Sequence, residues 1–265
     1  MKRWLHAVPL LLIASPAWAD EVLSAEGVRT VEIHVASGDV KVERHDKDEI
    51  VVSRGDRIQI ERSDRRLRIK STNGDVSIRV PRVLIDVNAQ SGDVRIRGAY
   101  PRIIAHTASG RVSIDGQADE MEVRSLSGDV RLRGRSKEVR VDCVSGDVDS
   151  DLDVSDLLSL RVTSGDVRIR ADKLAERTEV ESVDGDTVVQ GGLVPDGVLR
   201  ARTMSGEVRF KRTNEVGFRL EARARYGSVR VKGKKRASGD SHSEVVGDGS
   251  ADVRLTAFSG TIDVD

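Results

Sequence analysis

The residues of this chain that could bind a ligand by type and spacing are the aspartates of a recurring Ser-Gly-Asp-Val tetrapeptide. It occurs at Ser37–Val40, Ser91–Val94, Ser127–Val130, Ser145–Val148 and Ser164–Val167. Stacked in register, its aspartates would form a carboxylate ladder, and such oxygen-rich repeats bind Ca²⁺ in β-rolls. The candidate metal ligands are Asp93, Asp129, Asp147 and Asp166. We favour a structural role, because an Arg follows Asp93, Asp129 and Asp166 two residues later and supplies a counter-charge.

A second candidate site is a basic stretch near the C-terminus, where alternating charge gives way to one sign. It consists of Arg209, Lys211, Arg212, Arg230, Lys232, Lys234, Lys235 and Arg236. Such a patch could meet an anionic glycan or an acidic envelope protein by charge complementarity. The alternative interpretation is a solvated basic edge.

Catalytic chemistry has little support in the sequence. Enzymes that cleave polysaccharides need clustered carboxylates held out of bulk water. Here the acids are spread evenly, and His34, His45, His106 and His242 lack metal-ligand spacing, with His34 and His106 in one outward column but several coils apart. We therefore predict no catalytic residues, no cofactor and a non-enzymatic protein. A polysaccharide-active β-helix enzyme and a calcium-binding repeat protein are the alternatives.

The elements that position these residues follow a short period. The glycines at 74, 92, 110, 128, 146 and 165 are spaced 18, 18, 18, 18 and 19 residues apart. A fixed period this short indicates stacked structural units rather than a domain with one central pocket. Val94 and Ile96 alternate with Asp93, Arg95 and Arg97, which predicts strands with one buried face.

Residues 91–109 define one coil of this repeat. A strand begins at Val94, residues 98–101 break it with a turn, and a second strand carries Ile103, Ala105 and Thr107 inward. The next Ser-Gly makes the return corner, where Gly supplies a positive φ and Asp accepts hydrogen bonds from nearby amides. Lone Cys143 falls in a column of small inner residues and cannot form an internal disulfide.

The outward columns of the aligned coils alternate in charge. One column reads Glu122, Arg140, Ser159, Glu179, Arg200 and Glu221. Neighbours in a parallel stack are about 4.8 Å apart, so this alternation would resist slipping of the register. The sequence therefore predicts an all-β protein, a single-stranded parallel β-helix (β-solenoid) with about 18–21 residues per coil. We expect right-handed coils, because parallel crossovers strongly favour that hand.

The chain divides into three predicted parts. Residues 1–19 are typical of a signal peptide, with a basic start, an apolar run from Ala7 to Ile13 too short to span a bilayer, and an Ala17-Trp18-Ala19 cleavage site. Residues 20–80 depart from the period and are predicted to form irregular first coils and an N-terminal cap. Residues 81–265 are predicted to be regular repeats, with a loop at 233–251 and a closing strand pair.

Several of these features together resemble a known family. The serial Ser-Gly-Asp-Val turns, the Val80-Pro81-Arg82 entry to the repeats and the terminal Phe258–Ile262 segment are similar to the bacterial putative-adhesin family, a domain of unknown function with β-strand repeats. The resemblance covers roughly residues 28–265. It implies a parallel β-helix-like fold in an exported or envelope protein, and it supplies no catalytic motif.

Composition and resemblance lead to one functional expectation. Lys plus Arg total 44 and Asp plus Glu also total 44, so the balanced charge gives no case for nucleic acid as a partner. We expect an exported, non-enzymatic scaffold or adhesin-like protein of the bacterial cell envelope, periplasmic or associated with the cell surface and without a membrane span. It would bind a partner protein or a surface polymer.

Overall fold

The computed structural model describes residues 20–53, 58–232, 234–238 and 241–265, with the backbone alone for 234–238. The predicted signal peptide (1–19) lies outside the described residues, as do the side chains of Lys234, Lys235 and Arg236. The regular elements of this described part are all strands. It contains no helix of the length and apolarity that a membrane crossing requires.

All of these strands belong to a single sheet that winds on itself. In chain order they are β1 (Glu21–Ser24), β2 (Thr30–Ser37), β3 (Val40–Arg44), β4 (Glu49–Ser53), β5 (Ile58–Ser63), β6 (Arg66–Ser71), β7 (Val76–Val80), β8 (Leu84–Ser91), β9 (Val94–Ser109), β10 (Val112–Ser127), β11 (Val130–Ser145), β12 (Val148–Ser164), β13 (Val167–Lys173), β14 (Arg177–Asp184), β15 (Thr187–Gly192), β16 (Val198–Ser205), β17 (Val208–Arg212), β18 (Phe218–Val231), β19 (Lys234–Ser238), β20 (Ser241–Val246) and β21 (Ala251–Val264).

Each coil passes through two walls joined by a Ser-Gly-Asp corner. The pre-corner wall consists of the strand segments that precede the corners, and the post-corner wall consists of those that follow them. In the pre-corner wall Ile103 pairs with Met121 and Met121 with Val139, all in parallel register and all fully buried. These aliphatic columns, stacked about 4.8 Å apart, form a continuous core between the walls. The predicted β-solenoid and its inner columns are confirmed.

The second corner of the central coils differs from the prediction. We expected a turn at residues 98–101 to divide the coil, but β9 runs without interruption from Val94 to Ser109. The backbone bends at Gly98, where φ is +120°, while it keeps its parallel pairing to β10. Tyr100 fills the bend from the inside and donates its hydroxyl proton to the Arg97 carbonyl at 3.0 Å. Pairing with the adjacent coil therefore keeps this segment in strand conformation, although Gly98 and Pro101 favour a turn.

Glycine at the Ser-Gly-Asp corner meets two separate requirements. Gly128 has a φ of +135°, which L-residues with a side chain rarely adopt. A Cβ on Gly128 would also lie 2.2 Å from the carbonyl oxygen of Gly110 in the adjacent coil. The predicted positive φ is confirmed, and the close stacking of backbones is a second reason for glycine.

The coils at the C-terminal end are stacked out of sequence order. We expected residues 252–265 to close the solenoid, but β21 lies between β16–β17 on one side and β18 on the other. Leu255, for example, pairs with Ala201 of β16 and with Ala222 of β18. The last coil in sequence is therefore an interior coil.

The N-terminal end shows the same rearrangement. Strands β2 and β3 lie between the β6–β7 coil and the β8–β9 coil, so that Val31 pairs with both Leu67 and Ile85. The coil of residues 66–80 is thus outside the coil of residues 30–44, which precedes it in sequence. At each end of the stack, the inserted coil pairs in register with the coils on both sides of it. No local sequence signal specifies this order.

Antiparallel strands cover both ends of the stack. At the N-terminal end β4 pairs with β7, β1 with β4, and β5 with β6. At the C-terminal end β19 and β20 both pair with β18. Much of the predicted loop at 233–251 is thus strand, because β18 would otherwise leave its backbone donors and acceptors unpaired in both walls.

Candidate functional site

The aspartates of the repeat hold one coil to the next. Oδ1 of Asp147 accepts a hydrogen bond from the backbone amide of Asp166 at 2.9 Å, and Oδ1 of Asp166 accepts one from the amide of Asp186 at 2.9 Å. The same bond joins Asp39 to the Asp93 amide, and it lowers the pKa of Asp39 against partial burial, with help from Arg95. The backbone amides that donate to these aspartates are thus amides of the adjacent coil.

The second oxygens of three of the four candidate calcium ligands, Asp93, Asp129 and Asp166, face arginines. Asp93 pairs with Arg95 at 2.6 Å and Asp166 with Arg168 at 3.6 Å, which are the counter-charges that we predicted. Asp129 instead pairs with Arg111 of the neighbouring coil at 3.5 Å. Within the described residues no group of three or more His, Cys, Asp or Glu is arranged to hold a metal ion. At least one carboxylate oxygen of each candidate ligand is therefore engaged by the protein itself.

The predicted basic patch is divided by the inserted last coil. Asp263 of β21 lies in register between Arg209 and Arg230, and its Oδ1 is buried without a hydrogen-bond partner. Arg209 also pairs with Glu207 at 3.0 Å. Of the other described members, Lys211 and Lys232 are exposed.

Arg212, the remaining described member of the patch, is directed to a structural contact. It donates to the Val216 carbonyl at 2.7 Å, and its guanidinium lies 5.4 Å from the centroid of the Phe218 ring. The structure therefore does not bring the described members into one continuous basic surface.

Two histidines are closer together than their sequence spacing indicates. We placed His34 and His106 several coils apart, but Asn88 pairs with both, because the β2 coil is adjacent to the β8 coil. They line a groove of about 940 Å³ with Arg124 and Asp142. His106 lies 3.9 Å from Glu122. Neither ring forms a hydrogen bond with a described residue that lines the groove.

An exposed apolar row, which the sequence analysis missed, runs along the corner edge. We call it the corner stripe, and it consists of Leu126, Val144, Val183, Met204 and Phe258, between 41% and 61% exposed. Each residue immediately precedes a corner, and the corner residues pair coil to coil, with Thr163 between Val144 and Val183. The sequence does carry apolar residues directly before these corners. They point outward, so the pattern of inward positions does not reveal them.

A groove with arginines and aromatic rings lies at the C-terminal end of the corner stripe. We call it the Arg groove, and it is lined by Arg202, Met204, Arg223, Arg225, Thr256 and Phe258 and encloses about 670 Å³. In register, Thr256 lies between Arg202 and Arg223. The next outward row places Phe258 between Met204 and Arg225. The groove exists because β21 is inserted between β16 and β18.

The aromatic rings of this region form one cluster. Phe258 and Tyr226 meet edge to face with centroids 5.3 Å apart. The Arg225 guanidinium lies 5.6 Å from the Tyr226 centroid and 5.3 Å from the Phe258 centroid. Tyr226 is 63% exposed. The cluster thus presents ring surface and cationic charge to solvent together.

Comparison with known proteins supports the fold. The family model Toastrack DUF4097 matches residues 43–191. The crystal structure of a "putative adhesin" from Bacteroides fragilis is 15% identical, covers 95% of this chain and 98% of its own, and has a TM-score of 0.51. A "putative cell adhesion protein" from Clostridium sporogenes is 10% identical over 93% of this chain and 98% of its own, with a TM-score of 0.21. None of the curated proteins matches the chain in sequence.

Proposed function

This chain belongs to the Toastrack DUF4097 family, and on that premise we propose that it is an exported, non-enzymatic β-solenoid scaffold of the cell envelope that binds an extended partner along its corner edge. A solenoid offers a long continuous surface, which suits an extended ligand better than buried chemistry does. The "putative adhesin" name of the Bacteroides structure is consistent with a surface role.

The observation that carries this proposal is the corner stripe. Its apolar side chains occupy equivalent positions in five of six neighbouring coils, with Thr163 in the remaining one, and extend over roughly 24 Å at the usual strand spacing. Large apolar side chains aligned on a surface indicate an interaction site more strongly than scattered ones do. A surface of this shape, one side chain wide and several coils long, fits a chain-like partner.

The charged side chains support a binding role over a catalytic one. Arg140 pairs with Glu120 of the adjacent coil at 3.6 Å and Arg161 pairs with Glu181 at 3.3 Å, so the outward acids are largely neutralised. A carboxylate that is held by an arginine is a poor general base, because its proton affinity is low.

The experiment compares the binding of the chain from residue 20 to isolated envelope fractions with that of two double variants. Leu126→Ser with Val144→Ser removes the centre of the corner stripe. Val22→Ser with Val245→Ser is the matched control, because these valines are as exposed but lie outside the stripe. We expect at least tenfold weaker binding for the first variant and unchanged binding for the second. Equal binding of both variants, or release of new reducing ends from envelope polysaccharide, would overturn the proposal.

A further inference from the structure

We propose that the Arg groove binds an acidic saccharide unit, with the sugar carboxylate or sulfate held by arginines and the ring packed on Phe258. This inference rests on the proposed function and deepens it, because it names the chemistry of the extended partner at one end of the corner stripe. The site differs from the basic stretch that the sequence indicated, and it faces outward from the other wall.

The Arg groove carries positive charge that no carboxylate in the described part of the chain neutralises. Arg202 and Arg225 have no ion-pair partner among the described residues, whereas Arg223 pairs with Glu221. Glu181, which lies beside Arg202 in register and also lines the groove, is already paired with Arg161. Arg225 also lies over the Phe258 and Tyr226 rings, but neither it nor Arg202 is neutralised by a described carboxylate, so both can pair with an anion. A guanidinium binds a planar carboxylate through two parallel hydrogen bonds, which adds geometric selectivity.

Exposed apolar surface lies beside these arginines. Phe258 is 41% exposed, Met204 is 55% exposed and Tyr226 is 63% exposed. An exposed aromatic face costs free energy in water and gains it when a flat apolar surface covers it. A pyranose ring presents such a surface on its C–H face while its hydroxyls remain available for hydrogen bonds.

The size and the polar lining of the groove also suit a sugar. A volume of about 670 Å³ lies in the range of small-ligand sites. Thr256 and Ser241 line the groove and have no hydrogen-bond partner through their hydroxyls among the described contacts. These hydroxyls can therefore donate to or accept from sugar hydroxyls. Together the groove offers two cations, a ring face and two hydroxyls, which matches an acidic sugar.

The experiment measures binding of tri-galacturonic acid, its methyl ester and hexaglutamate to the chain from residue 20 by isothermal titration calorimetry. The ester keeps the sugar and removes the charge, while the peptide keeps the charge and removes the sugar. We expect the acid to bind at least tenfold more tightly than either of the other ligands. Equal affinity for the acid and its ester, or tighter binding of the peptide, would overturn the inference.

Variants locate the site. Arg202→Gln with Arg225→Gln, and separately Phe258→Ser, should each weaken binding of the acid at least tenfold. The control Arg131→Gln changes an exposed arginine of the post-corner wall and should leave affinity unchanged. Unaltered binding by the groove variants, with retained circular dichroism and melting temperature, would contradict the assignment. If no uronic, sialic or sulfated oligosaccharide binds while the corner-stripe variants still lose envelope binding, this inference fails and the proposed function stands.

Discussion

The backbone amide of Asp166 donates a hydrogen bond to Oδ1 of Asp147 at 2.9 Å, across the boundary between two coils. The corresponding aspartates repeat this bond along the corner, from Asp39 with Asp75 to Glu207 with Asp186. The aspartate of the repeat therefore acts on the next coil and not only on its own turn. This explains why the motif can recur many times without being a ligand site.

We expect Asp147→Ala to destabilise the protein by about 1 kcal/mol, the usual net value of one hydrogen bond. Asp147→Asn should cost less, because an amide oxygen still accepts from the Asp166 amide. Urea unfolding followed by circular dichroism measures both. Equal losses for the two variants would show that charge, rather than the hydrogen bond, is what matters.

Asp39 should make stability depend on acid pH. The hydrogen bond from the Asp93 amide, and then the charge of Arg95, hold its pKa below the ordinary 3.8, in opposition to burial. A lowered folded pKa means that the stabilisation is complete above the unfolded pKa and is lost as pH falls through the folded value. The difference in melting temperature between the native protein and Asp39→Asn should therefore be largest near pH 6 and shrink below pH 3.8. A difference that does not change with pH would contradict this.

The corner glycines should tolerate no side chain. Gly128→Ala combines a φ of +135° with a Cβ 2.2 Å from a backbone oxygen, so we expect a loss of about 2–4 kcal/mol. Gly27→Ala is the control, because its φ is +76° but its Cβ would meet nothing closer than 3.6 Å. That variant should lose only about 1 kcal/mol. Similar losses in thermal unfolding would remove the role assigned to close stacking.

The order of the C-terminal coils can be tested with disulfides in a Cys143→Ser background. Arg200 pairs with Arg254 of β21, so Arg200→Cys with Arg254→Cys should form a bond under mild oxidation. Arg200→Cys with Glu221→Cys should not, because β21 separates these residues by two strand spacings, about 9.6 Å. Non-reducing electrophoresis gives the answer. Formation of the second disulfide alone would contradict the insertion of β21 and would indicate that the coils are stacked in sequence order.

Cys143 should be unreactive in the folded protein. Its side chain is buried, and that burial is the main cause that raises the pKa of the thiol. A disulfide reagent at pH 8 should therefore modify it only after urea unfolding. Cys143→Ser should change stability by less than about 1.5 kcal/mol, since Ser125 occupies the paired position and donates to the Gly128 carbonyl. Rapid modification of the native thiol would contradict the packing.

The sequence alone determined the repeat, the wall strands and their buried columns. Val141 and Val123 could be assigned to one column because the period of 18 residues and the alternation of apolar and charged residues are both local signals. The corner glycine was predictable for the same reason, because a positive φ is a property of one residue and its neighbours.

Which coil lies beside which is visible only in the folded chain. Thr256 is near Arg202 and Arg223 because β21 adds between β16 and β18, and Asp263 divides the expected basic patch for the same reason. All coils present nearly the same hydrogen-bonding edge and inner columns, so local pattern cannot rank the alternative neighbours. The order of stacking depends on how all the coils pack and on how the ends of the stack are paired, which is a non-local property of the whole chain. The Arg groove depends on that order.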